Sequence, residues 1–342
     1  MTNIDIKQRM QHYHVTGLSF SLIEDGQISE SRHFGYFESG SNKRVDAHTL
    51  FNACSISKFL TALLAMRLVE QNYLHLDEDV NNQLLSWKVP DNHYTKIKKV
   101  TLRNLLCHQA GIRDPRDSFS ALQLLQEQPT MVEILNGQTP YCSIPIEVSY
   151  EPESEFHYSD AGFCIIQQLI EDVTGKPFHL VVDEFIFTPL HMKNSLFATN
   201  IHDITKNVAC GHHKNGELVL GKYPIYPYLA ACGLWTTTAD LAKLVLELMH
   251  ALKGTSNLGI SVSHIKELIH PQGCKEWTGL GVFIEGAQQE IEMSSLGWGV
   301  GFQCMIVAYP YREKGLVIMT NTDLGVHQME GLIGEIYKSL LL

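Results

Sequence analysis

A serine and a lysine three residues apart, Ser55 and Lys58, stand where a strand-like run, Thr49-Leu50-Phe51-Asn52-Ala53-Cys54, gives way to a long apolar helix pattern beginning at Phe59. At the start of a helix, residues three apart share a face, so the hydroxyl and the amine point the same way. A serine hydroxyl is a poor nucleophile at neutral pH unless a neighbour takes its proton, and a desolvated lysine with a lowered pKa is such a base. The first helical turn also leaves backbone N–H groups free to bind a developing oxyanion. The spacing alone is weak, because it arises by chance about once in a chain of this length. Ser263 and Lys266 repeat it. That copy opens a short amphipathic segment, Ile265 to Ile269, with neither a strand before it nor a long buried helix after it, and reads as a solvated helix start. Context selects Ser55.

Two further groups of residues bear on the same chemistry. Tyr158-Ser159-Asp160 follows the loop Glu155-Phe156-His157 and precedes a helical pattern from Ala161, which places the tyrosine where it can project into a cleft. A phenol beside an ammonium is easier to deprotonate, so Tyr158 would relay protons between the serine and a leaving group. Taken alone, the segment reads equally well as an aromatic anchor with Asp160 as the helix N-cap. The second group is Ser295-Leu296-Gly297-Trp298-Gly299-Val300-Gly301-Phe302, leading into a strand. Closely spaced glycines admit a ligand to the backbone, and a strand N–H there would be a second oxyanion donor. Standing alone, it would read as a hairpin turn. A dinucleotide-binding reading fails, since the glycines lack the longer second interval and precede a strand rather than a helix. No Gly-x-Ser-x-Gly elbow occurs, which argues against an α/β-hydrolase.

The elements that must position these residues are legible in outline. Leu18, Phe20 and Leu22 alternate with small or polar residues, Asp25-Gly26 makes a turn, and Ile28 to Phe34 returns as the second strand of a hairpin. The helix after Ser55 carries the apolar stripe Leu60, Leu63, Leu64 and Leu68. From about Asn81 to Lys222 the pattern is helical pieces and long polar loops. Strand character returns at Gly279 to Ile284, Gln303 to Ala308 and Gly315 to Thr320, and a last amphipathic helix spans His327 to Leu341. Strands at both ends around a helical middle predict an α/β (α+β) fold in which residues 1–80 and 223–342 form one discontinuous α/β domain and 81–222 a mainly α-helical insertion.

The 342 residues are 44% hydrophobic and 18% charged, an ordinary globular composition. A net charge of −11, with no basic cluster longer than Lys96 to Lys99, argues against nucleic acid as a partner. No apolar run approaches membrane-spanning length, and the segment after Met1 lacks an apolar core of signal-peptide type, so the expected location is cytoplasmic and no membrane partner is expected. Eight cysteines are scattered singly without a Cys-x-x-Cys pair and read as reduced thiols, with Cys54, beside the serine, exposed to alkylation or oxidation. Cys210-Gly211-His212-His213 is no metal signal, because adjacent histidines on a strand face opposite sides. Neither a metal nor a cofactor is expected.

Ser-x-x-Lys, then Tyr-x-Asp about a hundred residues on, then a glycine strand near the carboxyl end resembles the serine β-lactamase and penicillin-binding-protein superfamily, most closely its class C β-lactamase and esterase branch. The likeness covers nearly the whole chain. It extends to Thr101-Leu102-Arg103-Asn104-Leu105-Leu106-Cys107-His108-Gln109-Ala110-Gly111, Thr174-Gly175-Lys176-Pro177, Thr188-Pro189-Leu190-His191-Met192, and Cys232-Gly233-Leu234-Trp235-Thr236-Thr237-Thr238-Ala239-Asp240-Leu241. The resemblance implies a central antiparallel sheet flanked by helices, with an all-α domain over the cleft. It implies Ser55 as acylated nucleophile, Lys58 as its base or base orienter, Tyr158 as proton shuttle, and the backbone N–H groups of Ser55 and Trp298 as oxyanion hole. Asp160, Ser295, Gly297 and Trp298 would meet the substrate.

Two departures narrow the substrate. The branch usually has Asn where this chain has Asp160, and Lys or His where it has Ser295. Loss of a cation and gain of a carboxylate both weaken recognition of an anionic substrate such as a β-lactam or a D-Ala-D-Ala terminus. The expected activity is hydrolysis of a small ester or amide through an acyl-enzyme, as in an esterase or D-amino-acid amidase or peptidase, rather than efficient β-lactam turnover. A catalytically weak binding protein and an acyltransferase remain the alternatives.

Overall fold

Asp25 and Gly26 both take positive φ, 49° and 69°, the conformation of a two-residue hairpin turn whose twist matches the flanking strands. In the computed structural model, which describes residues 4–121, 128–198 and 207–341, they join β1 (Gly17–Glu24) to β2 (Gln27–Gly35). Further along the chain come β3 (Phe51–Asn52), β4 (Leu196–Phe197), β5 (Leu234–Thr236), β6 (Phe283–Glu285), β7 (Glu292–Gly299), β8 (Phe302–Tyr309) and β9 (Lys314–Thr320). Six of these strands form one antiparallel sheet in the order β2-β1-β9-β8-β7-β6, and β3-β5-β4 form a second, small one. The two ends of the chain therefore meet in mid-sheet, where Phe20 of β1 faces Ile318 of β9.

Strand periodicity sorts the side chains onto two faces. Met305 and Val307 of β8, with Leu316 and Ile318 of β9, pack under α1 (Ile6–His12) and the C-terminal helix Leu332–Leu340. Cys304, Ile306 and Ala308, with Val317 and Met319, join the larger core on the other face. That core holds α2 (Ser57–Glu70), followed in the chain by α3 (His93–Ile97), α4 (Leu102–Leu106), α5 (Met131–Leu135), α6 (Asp160–Thr174), α7 (Phe178–Val182), α8 (Leu229–Cys232), α9 (Thr238–Leu252) and α10 (Val262–Leu268). The C-terminal helix is α11. It starts at Leu332 and not at His327, because Gly331 is extended (φ −115°, ψ −163°) and Gln328–Glu330 form a separate 3-10 turn.

The stripe expected on α2 understates its burial. Every residue from Ser57 to Met66 is buried, Lys58 included, so the helix runs through the core and does not lie upon it. Gly279 to Val282, expected as strand, is instead a turn. Gly281 has φ 69°, and a Cβ there would lie 2.9 Å from the Lys58 carbonyl oxygen and 2.7 Å from Ala62 Cβ, so only glycine lets this loop close over the helix. Among the described residues no helix is long and apolar enough to cross a membrane.

Candidate active site

The turn bearing Ser55 is tied down on both sides. Ala53 N–H donates to the Leu234 carbonyl (2.8 Å), and Leu234 N–H returns a bond to Ser57 Oγ (3.1 Å), which itself donates to the Cys54 carbonyl (2.6 Å). Between these ties Cys54 is forced to φ 49°, a left-handed conformation costly for a residue with a side chain. Its N–H is held by Asn52 Oδ1 at 2.8 Å. The strain throws Ser55 onto the 3-10 turn Cys54–Ile56 that opens α2, so its N–H belongs to the first-turn donors that have no partner within a helix.

Lys58 follows one turn later, and its Nζ lies 3.1 Å from Ser55 Oγ. Two more oxygen acceptors are Asp160 Oδ1 at 2.6 Å and the Ala231 carbonyl at 3.1 Å, and Cys232 Sγ lies at 4.0 Å. Its aliphatic stem is buried and its charge sits 4.8 Å from the Tyr158 ring centre. The sequence leads one to expect a lysine pKa lowered by desolvation. Burial is the largest single influence and pushes it down, but the Asp160 carboxylate, Cys232 and Tyr158 together outweigh burial and hold Lys58 well above the ordinary lysine range. Lys58 is an ammonium at neutral pH.

Asp160 is placed by α6. The N-cap of that helix is Ser159, not Asp160, with Ser159 Oγ accepting from Gly162 N–H at 3.0 Å. Asp114 reinforces the cap by accepting from Ser159 Oγ (2.7 Å), Asp160 N–H (2.8 Å) and Ala161 N–H (3.1 Å). Burial, and then the Asp160 charge, raise the Asp114 pKa. The charge of Asp160, expected to face the substrate, is thus met first by Lys58.

Tyr158 precedes the cap and stacks on the His108 ring, centroids 4.4 Å apart. The phenol is not activated by the nearby ammonium as expected. The protein packed against it pushes it up to about 12, with the Lys58 charge only partly opposing, although 41% of the residue is exposed at the cleft mouth. His108 is pushed the other way, to about 3, by burial and by Lys58, and its Nδ1 accepts the Ser159 N–H at 3.1 Å. It is neutral at any working pH.

The opposite wall is β7. A Cβ on Gly297 would come 2.3 Å from the Ala53 carbonyl oxygen, so this strand touches the Ser55 turn backbone to backbone. Gly299 also faces this turn, its Cβ position 2.6 Å from the Tyr226 hydroxyl and 2.8 Å from Cys54 Sγ. Ser295 lines the cleft and is 4% exposed, while Trp298 is 44% exposed with its indole N–H donating to Asp323 Oδ1 at 2.8 Å. The cleft is narrow and is lined by Ser55, Lys58, His108, Tyr158, Ser295 and Leu296, among others.

The beta-lactamase family model matches residues 5–336 of this sequence. The chain belongs to the beta-lactamase family. Among its relatives is Protein flp of Staphylococcus aureus (strain MRSA252), 22% identical over 249 residues, which are 72% of this chain and 47% of that protein. The chain thus spans about half the length of the flp proteins it matches. The teichoic acid D-alanine hydrolase of Staphylococcus aureus is 23% identical over 331 residues, covering 94% of this chain and 74% of that one. An octameric penicillin-binding protein homologue from Pyrococcus abyssi superposes with a TM-score of 0.77 at 23% identity, over 98% of this chain and 76% of that one, and shares the fold.

In this beta-lactamase-family chain, Ser55, Lys58, Tyr158 and Ser295 line one cleft, with Asp160 behind it on Lys58 and Gly297 against the turn that carries Ser55. The decoy pair is elsewhere: Ser263 and Lys266 lie exposed on α10, with Ser263 Oγ bonded to Ser261 Oγ at 3.0 Å. His212 is a bridge between loops, its Nε2 accepting from Ser39 N–H and its Nδ1 bonded to the Asn321 carbonyl. Sequence reading missed Asp114, whose loop carries no periodic signal, and Cys232, whose Sγ lies 3.5 Å from Ser55 Oγ.

The thiols near the site are not the reactive ones. Cys54 is 1% exposed and burial holds its pKa well above the ordinary thiol range, while burial together with Asp160 pushes Cys232 up to about 12. Cys274 is exposed. Brief treatment with iodoacetamide at pH 7.5 should therefore label Cys274 first and leave activity intact. Peptide mapping checks this, and early label on Cys54 or Cys232 with matching loss of activity would contradict it.

Proposed function

We propose that this chain is a serine hydrolase that cleaves small esters or amides through an acyl-enzyme on Ser55, with little capacity for β-lactams. The observation that carries this reading is the Ser55 Oγ–Lys58 Nζ contact of 3.1 Å at the base of a cleft whose β7 wall presents Ser295 in place of a cation. Ser55 attacks the acyl carbon, the N–H groups of Ser55 and Trp298 receive the oxyanion, and water releases the acyl group. Tyr158, a protonated phenol in the resting site, is suited to donate to the leaving atom. The teichoic acid D-alanine hydrolase among the relatives supports an acyl group of amino-acid size.

One observation favours a second reading, that of a binding protein without turnover: Lys58 is held as an ammonium and offers no lone pair to Ser55. A fluorophosphonate probe separates the two. Labelling of Ser55, together with steady hydrolysis of a p-nitrophenyl acetate or butyrate, is expected, and an unlabelled Ser55 would establish the binding protein.

The charge argument at position 295 makes its own prediction. Nitrocefin and benzylpenicillin should be turned over far more slowly than the small esters, because nothing cationic meets their carboxylate at Ser295. Ser295→Lys should raise the ratio of nitrocefin to ester kcat/KM by about tenfold, the value of a charge pair in a partly desolvated cleft. An unchanged ratio in both Ser295→Lys and Ser295→His would show that charge at this position does not set the preference.

A further inference from the structure

An ammonium has three N–H bonds, and Lys58 has three oxygen acceptors at close range, Asp160 Oδ1 at 2.6 Å, Ser55 Oγ at 3.1 Å and the Ala231 carbonyl at 3.1 Å, with the weakly accepting Cys232 Sγ farther off at 4.0 Å. With every proton committed, the amine donates to the serine and cannot accept from it. The groups facing this pair from the surrounding elements supply no base either. Tyr158, Cys164, Tyr228 and Cys232 stay protonated because burial raises them, and His108 spends its Nδ1 on Ser159 N–H. Asp114 is occupied by three donors of the α6 cap. Among the described residues, the carboxylate of Asp160, aimed at Lys58 by that cap, is the proton acceptor connected to Ser55 through Lys58.

Resting on the serine-hydrolase reading, we propose that Asp160 is the positioning residue that lets a permanently charged Lys58 accept the serine proton, by taking a proton from Lys58 in the same step. As the bond from Ser55 Oγ to the acyl carbon forms and the carbonyl π pair moves to oxygen, the serine proton passes to Nζ. A proton already on Nζ passes to Asp160 Oδ1. Lys58 stays an ammonium throughout, and the negative charge moves from Asp160 to the oxyanion, so net charge is conserved. When the tetrahedral intermediate collapses and the bond to the leaving oxygen or nitrogen breaks, the proton returns from Asp160 to Nζ. A proton on Nζ passes to the leaving atom, directly or through Tyr158. An asparagine at this position can orient the lysine but takes no proton. Aspartate in place of the branch's usual asparagine thus changes which group stores the proton.

The pH dependence of the unsubstituted chain, with Ser55→Ala as the blank, tests this. A neutral lysine acting alone would make kcat/KM for p-nitrophenyl butyrate climb by about tenfold per pH unit between pH 7 and 9, because only its small deprotonated fraction would react. The relay instead gives a flat profile over that range after subtraction of the rate in Ser55→Ala. Asp160→Asn removes the proton store, and burial then favours the neutral amine. The variant should lose roughly a hundredfold at pH 7 and recover with rising pH. Asp160→Glu should keep a flat profile at reduced rate. A climbing wild-type profile, or an Asp160→Asn profile parallel to the wild type, would overturn the proposal. If Ser55 takes the fluorophosphonate label while either of these is seen, the hydrolase reading stands and the relay alone fails. If Ser55 takes no label and no ester is turned over, both fall together.

Discussion

Ser55→Ala should lower kcat/KM for a small p-nitrophenyl ester by at least about 10⁴-fold, because removing a nucleophile takes away the covalent path and leaves only oxyanion and binding contributions. The fold should survive. Lys58 keeps Asp160 and the Ala231 carbonyl as partners, and the turn keeps its ties to Leu234 through Ala53 N–H and Ser57 Oγ. Thermal melting and fluorophosphonate labelling of wild type and variant, run beside the kinetics, separate a lost nucleophile from a lost fold. Ser263→Ala is the internal control. It shares the Ser-x-x-Lys spacing but sits exposed on α10, so its activity should match the wild type within about twofold and its stability within about 0.5 kcal/mol. Equal losses in the two variants, or persisting activity without Ser55, would remove Ser55 from the mechanism.

Gly297→Ala is expected to damage activity severely although it removes no functional group. Its new methyl carbon would lie 2.3 Å from the Ala53 carbonyl oxygen, 3.3 Å from the Ala53 carbonyl carbon and 3.3 Å from Cys304 Cβ. The first contact sets a Cβ, whose position the β7 backbone fixes, against a backbone oxygen, so no rotamer change relieves it. Either β7 or the turn before Ser55 must move, and overpacking of this kind costs about 1–3 kcal/mol. A shift on the order of 1 Å between Ser55 and the Trp298 N–H should cost roughly a hundredfold in kcat/KM. Gly162→Ala, in the first turns of α6, is the contrast. Its nearest contact would be ordinary at 3.7 Å, so activity should be retained and the helix should gain a few tenths of a kcal/mol to about 1. Kinetics and melting curves of the two variants check this, and full activity in Gly297→Ala would show that β7 does not form part of the site.

The parts of this protein that follow from local geometry were legible in its residues. Helical periodicity put Ser55 and Lys58 on one face, and they lie 3.1 Å apart. Asp25-Gly26 announced the first hairpin because few residues accept two successive positive φ angles, and the strand character of the apolar runs Gln303 to Ala308 and Gly315 to Thr320 announced two of the central strands. The helix from Ala161 was visible, but its cap is Ser159, which replaces the alternative of Asp160. Both residues are good caps by type, and Asp114, which favours the first by bonding its hydroxyl, lies 45 residues away from it.

What escaped the sequence was everything set by distance in space rather than along the chain. The protonation of Lys58 is the clearest case. Burial alone predicts a lowered pKa, and α2 does bury the amine, yet the charge depends on a carboxylate 102 residues later that α6 brings to 2.6 Å. Tyr158 errs in the opposite direction for the same reason, since the packing around its ring outweighs the cation that sequence reasoning placed beside it. The need for glycine at position 297 appears only once the register of β7 against β8 sets it against Ala53. Sequence by itself determined which groups are available and which near neighbours share a face, because those follow from dihedral periodicity. Tertiary structure alone decided which of them hold charge and which backbone atoms touch, because electrostatic energy and steric repulsion depend on through-space separation, which sequence spacing does not fix.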